Sequence, residues 1–473
     1  MSDHYKDNLN VPQERLTTTN EDGSRIYVHP AHVTGRYKRL RVVAHALLIL
    51  VFLILPWIRI GGHQALLLDV AHRKFAIFGL TFWAHDAPML VFIFGGAALS
   101  IVFMTALLGR VWCGWACPQT VFIEAFFRRI ETWIEGDHIA RKKLDQEPWN
   151  SDKFFKRAAK WSIFTAVALV ITHSLLAYFI GTDELAHMIR RPPSESPSSF
   201  LLMTVTSGII LFDFGWFREQ FCTIACPYGR FQSVLMDEHS LVVAYDIARG
   251  EPRKGSADAT TAGKVGDCVS CNRCVAVCPT GIDIRRGTQL ECVACTACAD
   301  ACDDVMVRVH KPTGLIRYTS EIELKGKKQK PIRPRTVIYA LILAGIASAL
   351  IWNVKTRTPV SAAYIRAADT PFSQTNDEHG VPIILNRFKV DITNQTFDDL
   401  SIALETTVPG SKVATAQNPY LLRAGQKAAI DIFVEFPKIS LSQGKVMTKL
   451  NVVNTANRAV LFSDEVSLVG PYQ

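Results

Sequence analysis

The residues with the clearest chemistry in this sequence are two runs of cysteine. Cys268-x2-Cys271-x2-Cys274-x3-Cys278-Pro279 is followed by Cys292-x2-Cys295-x2-Cys298-x3-Cys302. That spacing matches the doubled bacterial ferredoxin run, in which three close thiolates grip three irons of a cube and the last cysteine of each run serves the other cube. One [4Fe-4S] cluster is expected on Cys268, Cys271, Cys274 and Cys302, the other on Cys292, Cys295, Cys298 and Cys278. Cysteine pairs also build zinc sites, but zinc needs only four ligands per site and the double run carries cluster spacing throughout. Asp303 stands where the first run has Pro279, a local change beside a cluster rather than the loss of a ligand.

The remaining four of the 12 cysteines form a second pattern. Arg110-Val-Trp-Cys113-Gly-Trp-Ala-Cys117-Pro118 and Phe221-Cys222-Thr-Ile-Ala-Cys226-Pro227 share an aromatic before the first cysteine, alanine before the second, proline after it and an arginine upstream. Cysteines four apart share one face of a helix, so each pair could present two thiolates to one metal. The proline interrupts that helix and favours a bend at the site. Soft thiolates select Cu(I), zinc or iron–sulfur clusters. Three outcomes stay open: a copper site on one or both pairs, a third cluster on all four thiols, or cysteines that simply pack at helix ends.

Positioning these groups requires a membrane. The chain has 473 residues, is 49% hydrophobic and carries a formal charge of +9. Apolar runs of spanning length occur at about 42–58, 88–108, 159–180, 200–217 and 337–352, against the roughly 17 to 25 residues a spanning helix needs. The fourth run carries Asp213. The basic residues flank these spans rather than forming one aromatic-interleaved surface, which argues against a nucleic-acid partner. Arg36, Lys38, Arg39 and Arg41 precede the first span, and Arg128, Arg129, Arg141, Lys142, Lys143, Lys153, Lys156, Arg157 and Lys160 fill the loop between the second and third. By the positive-inside rule both segments are cytoplasmic, as is the Cys-rich stretch between spans four and five, while the C-terminus is outside. No cleavage signal follows the polar start, so the first span is expected to be a retained anchor. All cysteines then fall on or next to the reducing side, where metal-bound thiolates rather than disulfides are expected.

The layout expected is a polar leader at 1–35, a four-helix membrane region at 36–254 with two Cys-x3-Cys-Pro motifs on parallel hairpins, a cytoplasmic ferredoxin-type α+β module at 255–335 opening on a Gly255–Gly263 linker, a fifth spanning helix at 336–353, and a periplasmic domain at 354–473. In that last stretch short runs alternate with a period of two, as in Arg387-Phe-Lys-Val-Asp-Ile-Thr and Ala428-Ala-Ile-Asp-Ile-Phe-Val, which predicts an all-β sandwich. His45 and His173 lie inside spans and are candidate haem, copper or proton ligands, with neutral packed histidine as the ordinary alternative. Met104 and Met203 read as plain core or lipid-facing residues. Lys and Arg near the span ends are expected to snorkel and set topology.

Taken together, Gly35-Arg-Tyr-Lys-Arg-Leu-Arg, Cys113-Gly-Trp-Ala-Cys-Pro-Gln119, Ile130-Glu-Thr-Trp-Ile-Glu-Gly-Asp137, Cys222-Thr-Ile-Ala-Cys-Pro-Tyr-Gly229, the double cysteine run and the β-rich tail resemble the CcoG/FixG/RdxA family of accessory polyferredoxins. The Cys-x3-Cys-Pro pairs alone are shared with the wider NapH and NosR group. The resemblance implies an immunoglobulin-like tail, a bacterial inner-membrane location, and a role in assembling cbb3-type cytochrome c oxidase by reducing Cu(II) to Cu(I). Its partners would be the oxidase assembly machinery, copper-delivery proteins and an electron donor the sequence does not name. Cys113, Cys117, Cys222 and Cys226 would then hold the copper product. Two readings compete with this oxidoreductase: a quinol-linked respiratory conduit and a non-catalytic copper chaperone or scaffold.

Overall fold

The computed structural model describes residues 18, 25–83, 87–254, 265–367, 370–376 and 382–472. Most of the leader before Arg25 and the whole Gly255–Gly263 linker thus lie outside the described residues. The chain divides into two compact units, Met1–Ile58 with Ile93–Ala347, and Arg59–Phe92 with Ser348–Gln473.

Among the described residues five helices are long and apolar enough to cross a membrane: Arg36–Trp57, Met89–Leu108, Ser151–Ile180, Pro197–Phe217 and Pro334–Thr356. This is a multi-pass membrane protein. The first and third helices start well before their apolar runs. For the third, Asn150 caps the first turn by accepting from Lys153 N at 2.7 Å, so a charged stretch is helical before the lipid-facing residues begin. The outward faces are apolar, with Leu47, Leu50, Val51, Leu201, Ile209, Leu341 and Ile342 exposed.

At the ends of these helices the basic residues do not all snorkel. Arg141, Lys153, Lys160 and Arg218 are buried. Glu131 accepts from Arg218 at 2.9 and 2.6 Å and from Arg141 at 3.0 Å, and Lys160 stands 2.8 Å from Glu135 and 3.9 Å from Glu131. Arg157 joins Glu135 at 3.1 Å and also reaches Asp145, which meets His29 at 2.6 Å. A charge taken out of water at such a depth has to be paired, and each member here is. Burial alone would raise the Glu131 carboxyl, but Arg218, Lys160 and Arg141 more than offset it and hold it at about 2.

The ferredoxin module hangs from this unit. Val242–Tyr245 pairs antiparallel with Ile316–Thr319, and the two cysteine runs lie between those strands in the chain. Each run feeds a helix, Arg273–Ala276 and Ala297–Arg308. Pro279 lies beyond the first helix, whereas Asp303 sits within the second and accepts from Gly314 N at 2.7 Å; an aspartate there lets the helix continue through Cys302.

The second unit is an immunoglobulin-like sandwich. One sheet orders Lys412–Thr415, Lys427–Pro437, Pro382–Asn394 and Val360–Arg366, with Ser373–Asn376 also pairing Pro382–Asn394. The other orders Tyr420–Leu422, Leu400–Thr406, Lys445–Asn454 and Val460–Val469. Alternate residues Ile384, Phe388, Val390 and Ile392 face the core, as a period of two requires. Asn386 shares that face and is fully buried, yet its amide donates to Val469 O at 2.7 Å and accepts from Val469 N at 2.8 Å, which stitches the two sheets together. A three-stranded meander, Leu66–Asp69, Lys74–Ile77 and Leu80–Trp83, belongs to this unit through Trp83 Nε1, which donates to Thr396 O at 3.3 Å. The loop between the first two spans therefore folds with the C-terminal domain, which its position inside the membrane half of the sequence does not suggest.

Replacing Glu131 with alanine leaves Arg218 buried without a counter-charge, a loss expected to cost about 3–5 kcal/mol. Thermal unfolding of the detergent-solubilised variant should show a clearly lowered midpoint; an unchanged midpoint would mean the network contributes no stability.

Candidate metal centres

The two ferredoxin runs close around two small cavities of the same size, each about 20 Å³. Cys268, Cys271, Cys274 and Cys302 line one, together with Tyr245, Met306, Leu315 and Ile316. Cys278, Cys292, Cys295 and Cys298 line the other, with Cys274 on their shared edge. The structure thus gathers the cysteines in the two sets that the crossed pattern predicts. The backbone repeats as well: Ser270 and Asn272 in the first loop, Ala294 and Thr296 in the second, all take left-handed φ between 51° and 61°. Such conformations cost roughly 1–3 kcal/mol each for residues other than glycine, and a loop wrapped tightly round a bound group is a reason to hold them.

The donor set fits iron–sulfur clusters. Burial in these apolar pockets pushes the thiol of Cys274 up to about 11 and those of Cys292 and Cys302 up to about 12, outweighing the positive charge of Arg285 near the first and Arg110 near the second. Metal cations deprotonate a coordinating thiol outright. Among the described residues no three His, Cys, Asp or Glu side chains converge closely enough for a single ion. Eight thiols around two apolar cavities suit a polynuclear group instead.

At the membrane edge the expectation of a continuous helix face is corrected. The helix carrying Cys113 ends at Trp115, and Cys117 is extended (ψ 126°) as the cap of the next helix, Pro118–Phe122. Cys222 lies in a π-type turn, Phe221–Ala225, and Cys226 is extended (ψ 112°) before Pro227–Leu235. A residue before proline is pushed out of the helical region by the ring, and this places each second cysteine at a helix start.

The two motifs meet across the duplication. Burial pushes Cys113 up to about 11, against a hydrogen bond from Gln232 Nε2 at 3.0 Å, and the nearby charges of Cys117 and Cys226 add to the rise. Burial likewise raises Cys222, with Cys117, Glu219, Cys113 and Cys226 all adding. Two glutamines exchange between the repeats. Gln232, after the second motif, holds Cys113 of the first, while Gln119, after the first, donates to Asp213 Oδ1 at 2.9 Å and Arg218 O at 3.0 Å beside the second.

The first of these motifs sits against the second ferredoxin loop. A Cβ on Gly114 would fall 2.7 Å from Val293 O and 2.8 Å from Ala294 O, so only glycine lets the Cys113 helix approach that loop. Arg110 donates to Leu290 O and, at 3.1 Å, to Cys292 O; Arg41 donates to Cys295 O at 2.5 Å; and Trp115 Nε1 donates to Tyr318, which donates to Ala294 O. Cys222 and Cys295 line one small cavity with Glu219, Glu124 and Pro279. The pattern search missed Gly114, Gln119 and Gln232, because none of these residue types is a ligand; the only signal was their position inside or just after a repeated cysteine frame.

Of the histidines, His45 is 3% exposed, whereas Nδ1 of His173 meets Leu169 O one turn back in its own helix at 2.7 Å. Met104 is exposed on a span and Met203 packs beside Leu176, as plain apolar residues would.

Comparison with known proteins divides the chain in the same way. A 4Fe-4S dicluster domain matches residues 217–321, a 4Fe-4S binding domain matches 75–144, and the IG-like fold at the C-terminus of FixG matches 350–471. Protein RdxA of Cereibacter sphaeroides is 34% identical over 389 residues, which are 79% of this chain and 81% of that protein. RdxB of the same organism is 31% identical over 454 residues, 88% of this chain and 94% of its own length. The nitrogen fixation protein FixG of Rhizobium meliloti is 39% identical over 300 residues, 62% of this chain and 57% of that one.

Gly114→Ala should leave iron and sulfide content unchanged while forcing the Cys113 helix away from the second loop, at a cost of about 1–3 kcal/mol. Hydrogen exchange read by mass spectrometry should then speed up in the peptide spanning Val293–Cys295; exchange equal to the wild type would show that the close approach is not required.

Proposed function

The chain belongs to the FixG/RdxA family, and from that premise we propose that this membrane iron–sulfur electron-transfer protein is a cupric reductase that serves assembly of a cbb3-type cytochrome c oxidase. The observation that carries the proposal is the contact between the two Cys-x3-Cys-Pro motifs together with the close approach of the Cys113 helix to the second ferredoxin loop. When bound, the two clusters supply single electrons, which is what Cu(II) requires: one reduced cluster is oxidised by one electron for each Cu(II) converted to Cu(I). The first would be held by Cys268, Cys271, Cys274 and Cys302 and the second by Cys278, Cys292, Cys295 and Cys298.

The chain's own residues account for the rest. Cu(I) is a soft ion, and thiolates are the side chains that retain it against water and oxygen donors. Arg110 and Arg41 clamp the second loop by its carbonyls, so the distance between that loop and the membrane-edge thiols is held by two charged anchors and one glycine. With the basic segments that flank the first span and precede the third inside, the ferredoxin module and the four thiols work at the cytoplasmic face of the inner membrane, and the immunoglobulin-like domain is periplasmic. Copper-delivery proteins and the oxidase assembly machinery are the partners this role calls for, with a low-potential one-electron donor on the cytoplasmic side.

Anaerobically purified protein, with its clusters reduced by dithionite and excess reductant removed, should be reoxidised by Cu(II) with one Cu(I) formed per electron, trapped by bathocuproine. Serine at Cys113, Cys117, Cys222 and Cys226 together should slow that reaction by about tenfold or more at full cluster content. Equal rates would remove the role of these thiols, and clusters that Cu(II) does not reoxidise would favour a scaffold or copper chaperone.

A further inference from the structure

A cavity of about 1160 Å³ opens where the charged start of the helix Arg36–Ile54 gives way to its apolar run. Six cationic side chains line it, Lys38, Arg39, Arg41, Arg128, Arg129 and Arg141, against two carboxylates, Glu124 and Asp137. Four of the six cations are paired: Lys38, Arg41 and Arg128 with Glu124, and Arg141 with Glu131. Asp137 is engaged in capping the next helix, where it accepts from Ala140 N at 2.8 Å. Arg39 and Arg129 are exposed and have no carboxylate partner among the described residues. Two guanidiniums that no acid neutralises, lining one cavity, suit phosphate oxygens, which each fork of N–H donors can bind in pairs.

The rest of the lining says what kind of phosphate compound fits. Val42 and Val43 line the same cavity one turn beyond Lys38 and Arg39, at the start of the apolar run of the first span, and Val43 is 58% exposed. Trp133, 79% exposed, also lines it, and tryptophan is the side chain enriched where lipid meets water. A soluble anion would use the arginines and leave these apolar groups wet, whereas an amphiphile uses both. We propose that this cavity binds one anionic phospholipid, with its phosphate on Arg39 and Arg129 and the start of its acyl chains along Val42, Val43 and Trp133. Basic pockets beside membrane helices recognise such headgroups by this combination of charge and apolar surface. Val277, Pro279 and Cys295 of the ferredoxin module line the cavity as well, so the lipid also bridges that module to the first span.

The full-length, cluster-loaded protein, stripped of lipid in a neutral detergent, can be titrated with phosphatidylglycerol and with phosphatidylcholine while native mass spectrometry counts the lipid bound. One phosphatidylglycerol should bind per chain and raise the thermal midpoint, with phosphatidylcholine about tenfold weaker or more. Arg39→Gln combined with Arg129→Gln should weaken phosphatidylglycerol about thirtyfold at unchanged iron content. Lys142→Gln combined with Lys143→Gln removes the same charge from exposed positions outside the cavity and should bind as the wild type does. Equal loss in both double variants, or no loss in the first, would reduce the effect to diffuse charge and overturn the site. The comparison of lipids needs no variant, and phosphatidylcholine that binds as tightly as phosphatidylglycerol overturns the proposal by itself. Displacement of the lipid by glycerol phosphate at matched concentration would make this a site for soluble phosphates and overturn the lipid assignment.

Discussion

Arg218 is enclosed in left-handed backbone (φ 52°) at the point where the fourth span hands over to the second cysteine motif, and Glu131 is the carboxylate that makes this tolerable. Neither water nor lipid headgroups reach either group, so the free energy of leaving one alone is several kcal/mol. The pairing therefore propagates. Glu131 recruits Arg141 and Lys160, Lys160 recruits Glu135, and Arg157 carries the chain of charges on to Asp145 and His29. A second cluster, Glu124 with Lys38, Arg41 and Arg128, and Arg128 with Glu219, ties the first span to both motifs. Because each link needs its geometry, these charges fix the relative heights of the first, third and fourth spans far more tightly than apolar helices sliding in lipid could.

That rigidity gives the duplicated motifs a common frame. Two copies of the same bend, each ending one helix and starting another, could have presented two independent thiol pairs on opposite sides of the bundle. The exchange of Gln119 and Gln232 between them argues otherwise, since each glutamine spends its side chain on the other repeat. Thr105 and Tyr228 add a further tie at 2.6 Å between the second span and the helix after the second motif. The polar links converge between the two motifs, so the fold holds both bends in one frame.

What could be read from the sequence followed from how local its physics was. Ferredoxin spacing is a covalent pattern, and the spans follow from apolar length, so the eight cysteines and five helices were visible as strings. The shared helix face expected for Cys113 and Cys117 was not realised, because the constraint of Pro118 on the residue before it outweighs the four-residue period. The snorkelling expected of the basic residues failed for Arg141, Lys153 and Lys160, whose partners Glu131, Glu135 and the Asp145 and Glu147 carbonyls are near in sequence but reveal their role only once the helices are packed. The meander at 66–83 could not be placed at all, since its bond from Trp83 to Thr396 spans more than 300 residues. Gly114 was equally silent: one glycine among 28 shows its purpose only when a neighbouring backbone lies within 3 Å of where a Cβ would be.

The first span is more than an anchor. Asp300, buried on the ferredoxin helix Ala297–Arg308, accepts from the backbone N–H groups of Tyr37 at 3.1 Å and Lys38 at 2.7 Å, and thus caps the membrane helix from another domain. A Cβ on Gly35 would lie 2.2 Å from that carboxylate carbon, so the close approach again needs glycine. One turn further Arg41 reaches Cys295 O, and the same helix packs on the two short helices of the first motif, Val111–Trp115 and Pro118–Phe122. A single helix therefore contacts the helix that carries Cys302, the loop that carries Cys295 and the bend that carries Cys113 and Cys117. A register shift of one residue would break all three contacts at once. The span thereby acts as a ruler, and the spacing of the metal-binding segments along it is set by the 1.5 Å rise of an α-helix rather than by the flexibility of the loops that bear the ligands.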